Sequence, residues 1–178
     1  MKQWDIFVGH VQWTHNEPMG GDFSKGPQGT HETNWDYGFV GNTKLLSAEL
    51  AESWGLPDST TIIWHLRKGV HFAKNPKAEK NSLVNGREMV AEDWVWSFKQ
   101  GFDVPTSWQA GQYPPGDPRR PTSFKATDKY TVEVKVPADS QGIMLLEMGG
   151  NNHIKCPELW TTGGDNTNWK NIIGTGPW

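Results

Sequence analysis

With 178 residues the chain has the length of one ordinary domain and enough mass to bury a core. Its hydrophobic content of 35% and mean hydropathy of -0.68 are low, yet 11 Trp and 7 Phe supply large apolar surface, which favours an aromatic-rich globule over a disordered chain. Lys and Arg number 17 against 20 Asp and Glu, a net charge of -3 with the signs interspersed, so no basic stripe exists to neutralise phosphates and nucleic acid is not an expected partner.

The first 43 residues are dominated by Gly, Pro, Asn, Asp and Trp, as in NEPMGGDFSKGPQGTHETNWDYG, and read as loops, with only Trp4 to Val8 strand-like. From Lys44 to Trp54, Leu46, Leu50 and Trp54 recur every four residues, which predicts a short helix stopped by Gly55 and Pro57. Thr60 to Arg67 alternates, with Ile62, Trp64 and Leu66 on one side and Ile63, His65 and Arg67 on the other. That is a half-buried strand, turned at Lys68-Gly69 into a short continuation, Val70 to Phe72. The polar stretch AKNPKAEKNSLVNG after it reads as an exposed loop.

A second helix is predicted from about Ala91 to Gly101, because Val90, Trp94, Phe98 and Phe102 form a stripe that Val95 widens. Glu92 and Asp93 fall in its first turn, where carboxylates meet unpaired amides and the positive end of the helix dipole. As neighbours on a helix they diverge by about 100° and cannot flank one bond, so they are start signals and not a catalytic pair. The Pro- and Gly-rich FDVPTSWQAGQYPPGDPRRPTSF then reads as loop. Tyr130 to Val136 alternates again, placing Tyr130, Val132, Val134 and Val136 inward, until Pro137 ends the strand. Gly142 to Met148 fits one or two helical turns, and the remainder returns to loop chemistry.

Catalytic patterns are sparse. There is no GxSxG elbow and no GxxxxGK[ST] phosphate loop, and His31-Glu32 has no second His to complete a zinc helix. His10 and His15 stand five apart in a loop, a spacing without metal meaning, so they read as ordinary histidines and no metal or other cofactor is expected. The lone Cys156 can form no internal disulfide and reads as a small buried hydrophobe. No apolar run reaches membrane-spanning length, and the start MKQWDIFVGH lacks the apolar stretch and cleavage site of a signal peptide, as expected if an export signal has been removed or was never there.

Four phrases in order, LAESWGLPDSTTIIWHLRKGVHF, NGREMVAEDWVWSFKQ, FKATDKYTVEVKV and IIGTGPW, resemble the solute-binding proteins of the peptide/nickel class, family 5, that serve ABC importers. They hold counterparts of an LAESW phrase, a TxxFHLRKGVxF strand, a TAEDVxxSF helix start, an ATDxYTVxxxL strand and a GTGPY turn, and span about Leu50 to Trp178. Two positions depart from the pattern. Val90 replaces the Thr that would cap the helix, a loss of about 1 kcal/mol that Asp93 offsets in part if it reaches back to the Val90 amide. Trp178 stands in place of Tyr.

The resemblance implies an α+β fold: a small mixed or antiparallel sheet with packed short helices and long loops, forming one lobe of a type II periplasmic-binding-protein clamshell. It implies that residues 1–178 are a single-lobe fragment of a larger binder, with about 174–178 starting the crossover to the missing remainder. It further implies a non-enzymatic role: capture of a small solute, an oligopeptide or similar, outside the inner membrane, in partnership with an ABC permease. Ligand contact is expected from the loop after the second helix, where Trp108 and Tyr113 combine an apolar body with a polar tip beside Ser107, Gln109 and Gln112. The alternative is a carbohydrate-binding module that uses Trp4, Trp13, Trp35, Trp108, Trp160 and Trp169 as stacking platforms.

Overall fold

The computed structural model describes residues 14–25, 43–78, 81–161 and 171–176, so the strand expected at Trp4 to Val8 lies outside the described residues. Within them the elements run β1 (Met19–Gly21), β2 (Leu46–Ala48), β3 (Ala51–Asp58), β4 (Thr61–Leu66), α1 (Asn81–Val84), α2 (Ala91–Asp103), α3 (Trp108–Gln112), β5 (Ser123–Asp128), β6 (Thr131–Lys135), α4 (Gln141–Gly150) and α5 (Glu158–Thr161). The main sheet is antiparallel in the order β3-β4-β6-β5, and β1 pairs with β2 in a separate ribbon. The class is α+β, as the motifs imply.

Both hairpins of the main sheet turn on an aspartate. Asp58 Oδ1 accepts from the Thr60 amide and hydroxyl, each at 2.8 Å, and Asp128 Oδ1 accepts from the Tyr130 amide at 2.8 Å. A side-chain oxygen that mimics a backbone acceptor two residues on is why Asp opens such turns. The strands expected at Thr60 to Arg67 and Tyr130 to Val136 are β4 and β6, paired with Ile62 opposite Val134 and Trp64 opposite Val132. Their inward residues Ile62, Trp64, Leu66, Val132, Val134 and Val136 are all buried.

Helix α2 lays Trp94, Phe98 and Phe102, each at most 1% exposed, on that sheet. Trp94 meets Trp64 at a centroid distance of 6.0 Å, and Phe124 of β5 meets Phe98 and Phe102 at 5.9 and 5.7 Å. Tilted ring pairs at such spacing add about 0.5–1.5 kcal/mol each to the gain from burial itself. Met144, Leu145 and Met148 of α4 complete the core.

The start of α2 is held as the Val90 substitution requires. Val90 has no side-chain oxygen, and Asp93 Oδ2 instead accepts from the Val90 amide at 2.9 Å. Asp93 in turn receives both prongs of the Arg87 guanidinium, at 2.8 and 2.7 Å, and Arg87 also donates to Glu158 of α5 at 2.5 and 2.8 Å. Asn85 and Gly86 ahead of it, at φ 46 and 67, make the tight left-handed turn that an Asn-Gly pair allows.

Several expectations are corrected. Residues 44–54 are not a helix: a 3-10 turn at Thr43–Leu45 leads into β2 and β3. A spacing of four fits a strand's period of two as well as a helix, and pairing decided it, since β3 docks on β4 with Trp54 opposite Trp64. Gly55 and Pro57 are tolerated because β3 is an edge strand broken by bulges. The stretch after Phe72 is not a plain exposed loop, because it contains α1 and buries Ala78 and Val84. Within the Pro-rich loop sits α3, whose amide at Ala110 is capped by Ser107 Oγ at 3.2 Å. The segment Val70 to Phe72 contributes only a bridge, His71 to Glu88.

Replacing Asp93 with Ala removes the only side-chain acceptor for the Val90 amide and one of two carboxylates on Arg87. We expect a loss of about 2–4 kcal/mol in urea unfolding, less than a fully buried pair would cost because Arg87 keeps Glu158. The exposed neighbour change Glu92→Ala should stay within about 0.5 kcal/mol.

Candidate functional site

The segments 14–17 and 174–176, remote in sequence, run side by side. The Gly176 amide donates to Thr14 O at 2.9 Å, the Asn16 amide to Thr175 Oγ1 at 3.3 Å, and the Ile154 amide to Asn16 O at 3.4 Å. Gly174 is required by the closeness of this crossing, for a Cβ there would sit 1.8 Å from Thr14 O. The crossing holds His15, Asn16 and Glu17 against β1, and together with Gly20, Phe23 and Glu49 they line a recess of about 270 Å³.

Its charges are unusual. Desolvation, then the neighbouring Glu49, pushes the Glu17 carboxyl up to about 8, and desolvation also raises Glu49. Burial, with the charge of Lys155 next to it, lowers His153 to about 4, and burial, His153 and Lys155 lower His15 to about 3. Lys155 itself is brought down to about 8 by burial. His153 Nδ1 makes no hydrogen bond and lies 3.5 Å from Glu17 Oε1, with the His153 side chain 6% exposed. Around neutral pH the site therefore holds two uncharged imidazoles, a mostly protonated Glu17 and a buried ammonium.

The residues expected to bind ligand part company in the structure. Trp108 is half-buried at the first position of α3. Tyr113 is buried at 4% exposure, 6.1 Å from Phe102, and its hydroxyl donates to Glu147 Oε1 at 3.1 Å. Burial and then Glu147 push its phenol up to about 12, and Arg119 covers the ring face at 4.8 Å. A ring so occupied packs as part of the core of this fold.

Of the proposed sugar platforms, Trp4, Trp13, Trp35 and Trp169 lie outside the described residues, as does His10. Trp160 is 37% exposed, tilted on Trp96 at 6.2 Å with Lys155 over its ring at 5.3 Å. Cys156 is buried but not merely apolar, because its thiol donates to Glu158 Oε2 at 2.8 Å. The recess residues Glu17 and Glu49, and the buried His153 and Lys155 near them, were missed by sequence reasoning. They come from three distant segments with no shared motif, and only the Gly-Thr-Gly phrase hinted at a crossing.

The sequence matches the profile of the bacterial extracellular solute-binding proteins, family 5 Middle, over residues 46–178. The chain belongs to that family. Among curated protein sequences there is no significant match. Similar solved structures include MoaA of A. tumefaciens R10 in complex with mannopinic acid, at 19% identity and TM-score 0.62, covering 99% of this chain and 30% of that one. The oligopeptide-binding protein AppA of Bacillus subtilis with a nonapeptide follows at 16% and 0.59, covering 93% and 27%. A third is the periplasmic oligopeptide-binding protein of Thermotoga maritima with mannohexaose, at 13% and 0.58, covering 92% and 25%. The chain thus spans about 30% of the first of these and less of the other two. This family and these neighbours are binding proteins, not enzymes, and no described helix is long and apolar enough to cross a membrane.

The titrations give opposed pH dependences. Neutral, buried His153 opposes protonation that the unfolded chain accepts, so its contribution is lost as pH falls from 6.5 toward 4. Glu17 holds a proton in the fold that the unfolded chain releases, so its contribution is complete below 4.5 and lost as pH rises toward 8. In urea midpoints measured across pH 4–8, His153→Gln should flatten the acid limb. Glu17→Gln should become progressively more stable relative to the parent between pH 5 and 8.

Proposed function

We propose that this chain is part of the solute-capturing component of an ABC importer, acting in the periplasm or outside the cell and delivering a small solute, an oligopeptide or similar, to a membrane permease. The observation that carries this reading is the family match across residues 46–178, laid on the same strands and helix that build the core. Such binders enclose a solute between lobes, which needs rigid walls and a junction and no nucleophile. In this reading residues 1–178 supply one lobe, and the crossing of segments 14–17 and 174–176 is where it joins the remainder of the protein.

The three structures above were determined with mannopinic acid, a nonapeptide and mannohexaose, so the fold is open to solutes of different chemistry. A stand-alone carbohydrate module is not favoured. The family match accounts for the chain's strongest motifs, and the ring of Trp160 is tilted on Trp96.

The test is thermal unfolding of the complete protein against a panel of short peptides and small polar solutes. A true ligand at one hundred times its Kd stabilises by about 2.7 kcal/mol. If Trp108 is a contact, Trp108→Ala should weaken that binding by about 1–3 kcal/mol with the fold retained. Tyr113→Ala should instead lower stability by about 2–4 kcal/mol, because a buried ring and its hydrogen bond are removed. A panel without any stabilising solute would count against the reading.

A further inference from the structure

We propose that the recess between Glu17 and Glu49 seats an organic cation, the ammonium or guanidinium group of the captured solute. This names the class of solute for the function proposed above and rests on that reading for its biological sense, though the site stands on its own geometry.

Three observations converge. First, the recess has room: at about 30 Å³ per water, a volume of about 270 Å³ exceeds what bridging water requires and accepts a short alkylammonium. Glycine at position 20 helps to keep it open, since a Cβ there would come 2.2 Å from Glu49 Oε1. Second, its donor set is acidic and under-matched. Glu17, whose side chain is 12% exposed, has no Lys or Arg ion pair among the described residues and meets only the uncharged His153, at 3.5 Å. Glu49 accepts from the Glu17 amide and has no side-chain ion pair among the described residues. His153 Nδ1, 3.5 Å from Glu17 Oε1, is buried without a hydrogen bond, an unmet polar atom next to this carboxyl. Third, Phe23, 63% exposed, lines the same recess, and an aromatic side chain is compatible with a cation or its alkyl stem.

Two carboxyl groups, of which Glu17 can lose its proton to an arriving cation, with the neutral imidazole of His15 and the Phe23 ring in the lining, are complementary to an alkylammonium and poorly suited to an anion. Lys155, buried and close enough to lower both His15 and His153, is the opposing charge of the cluster. Filling the recess with a cation would favour ionised Glu17, so association near neutral pH should release a proton.

The probe is 1,4-diaminobutane, with 1,4-butanediol as its uncharged control, titrated into the full chain by calorimetry in buffers of different ionisation enthalpy. We expect saturable binding of the diamine and none of the diol, with proton release near pH 7. The isosteric changes Glu17→Gln and Glu49→Gln should each weaken the diamine at least tenfold, with unfolding midpoints recorded to show that the variants remain folded. Gly20→Ala, which displaces the Glu49 carboxylate, should weaken it as well. Absence of saturable diamine binding overturns the proposal, as does binding that both Gln variants leave unchanged. If the complete protein captures an uncharged solute with an affinity indifferent to Glu17→Gln, this inference fails while the importer reading stands. If no solute from the wider panel binds but the diamine does, the importer reading fails and the cation seat remains.

Discussion

The fork between Arg87 and Asp93 is the contact on which the arrangement of the fold depends. Asp93 is only 3% exposed in its side chain, and a carboxylate that deep is costly unless its lone pairs are filled. They are filled by two guanidinium nitrogens and the Val90 amide, so the residue that neutralises its own burial also starts the helix. Arg87 reaches further: its other edge binds Glu158 of α5, and its plane lies 4.9 Å from the Phe72 ring centre. One planar cation thus clamps the end of the strand region, the helix start and the last described helix. Lysine could not do this, because a point charge has no fork and no face to stack. Cys156, sharing Glu158 with Arg87, is sealed in the same cluster, and burial pushes its thiol up to about 12.

From that anchor the aromatic core follows. With the first turn of α2 fixed at Asp93, the next residue, Trp94, is placed against Trp64, and each further turn delivers Phe98 and then Phe102 to the sheet. The helix needs no strong propensity of its own, since tertiary burial of the stripe supplies its stability. β5 is held by the same stripe through Phe124 although most of its residues face solvent.

How much of this was legible depended on whether a signal was local. β4 and β6 were readable because period-two alternation survives in sequence, and α2 because its stripe recurs every four residues without competing pairing. The reach of Asp93 to the Val90 amide could be anticipated from a missing Thr cap. The segment 44–54 misled because even-numbered spacing satisfies a strand and a helix alike, and only the partner β4 resolves it. β5 left little trace because an edge strand with one half-buried ring has little apolar pattern to show. α3 hid inside Pro- and Gly-rich sequence, where Ser107 was visible only as a neighbour of Trp108 and not as a cap. Tyr113 was a sound amphipathic candidate locally, and it was α4, through Glu147, that claimed its hydroxyl.

The recess was the least legible feature, and the reason is topological. Glu17 lies before the described ribbon and Glu49 between β2 and β3, while the buried His153 and Lys155 follow α4, so no short window of sequence brings these titratable groups together. What joins them is a backbone crossing. Gly174 lets the returning chain pass Thr14 at hydrogen-bonding distance, and its carbonyl also accepts from the Ala73 amide at 2.7 Å, tying the crossing to the segment that follows β4. The Gly-Thr-Gly phrase is therefore better understood as a packing requirement than as a turn: the first glycine removes a side chain, and the threonine between bonds Asn16 with its hydroxyl. A charged group placed beside such a crossing is desolvated by two backbone segments at once. That is the physical reason the strongest carboxyl and imidazole shifts gather there and not on the exposed surface of the sheet.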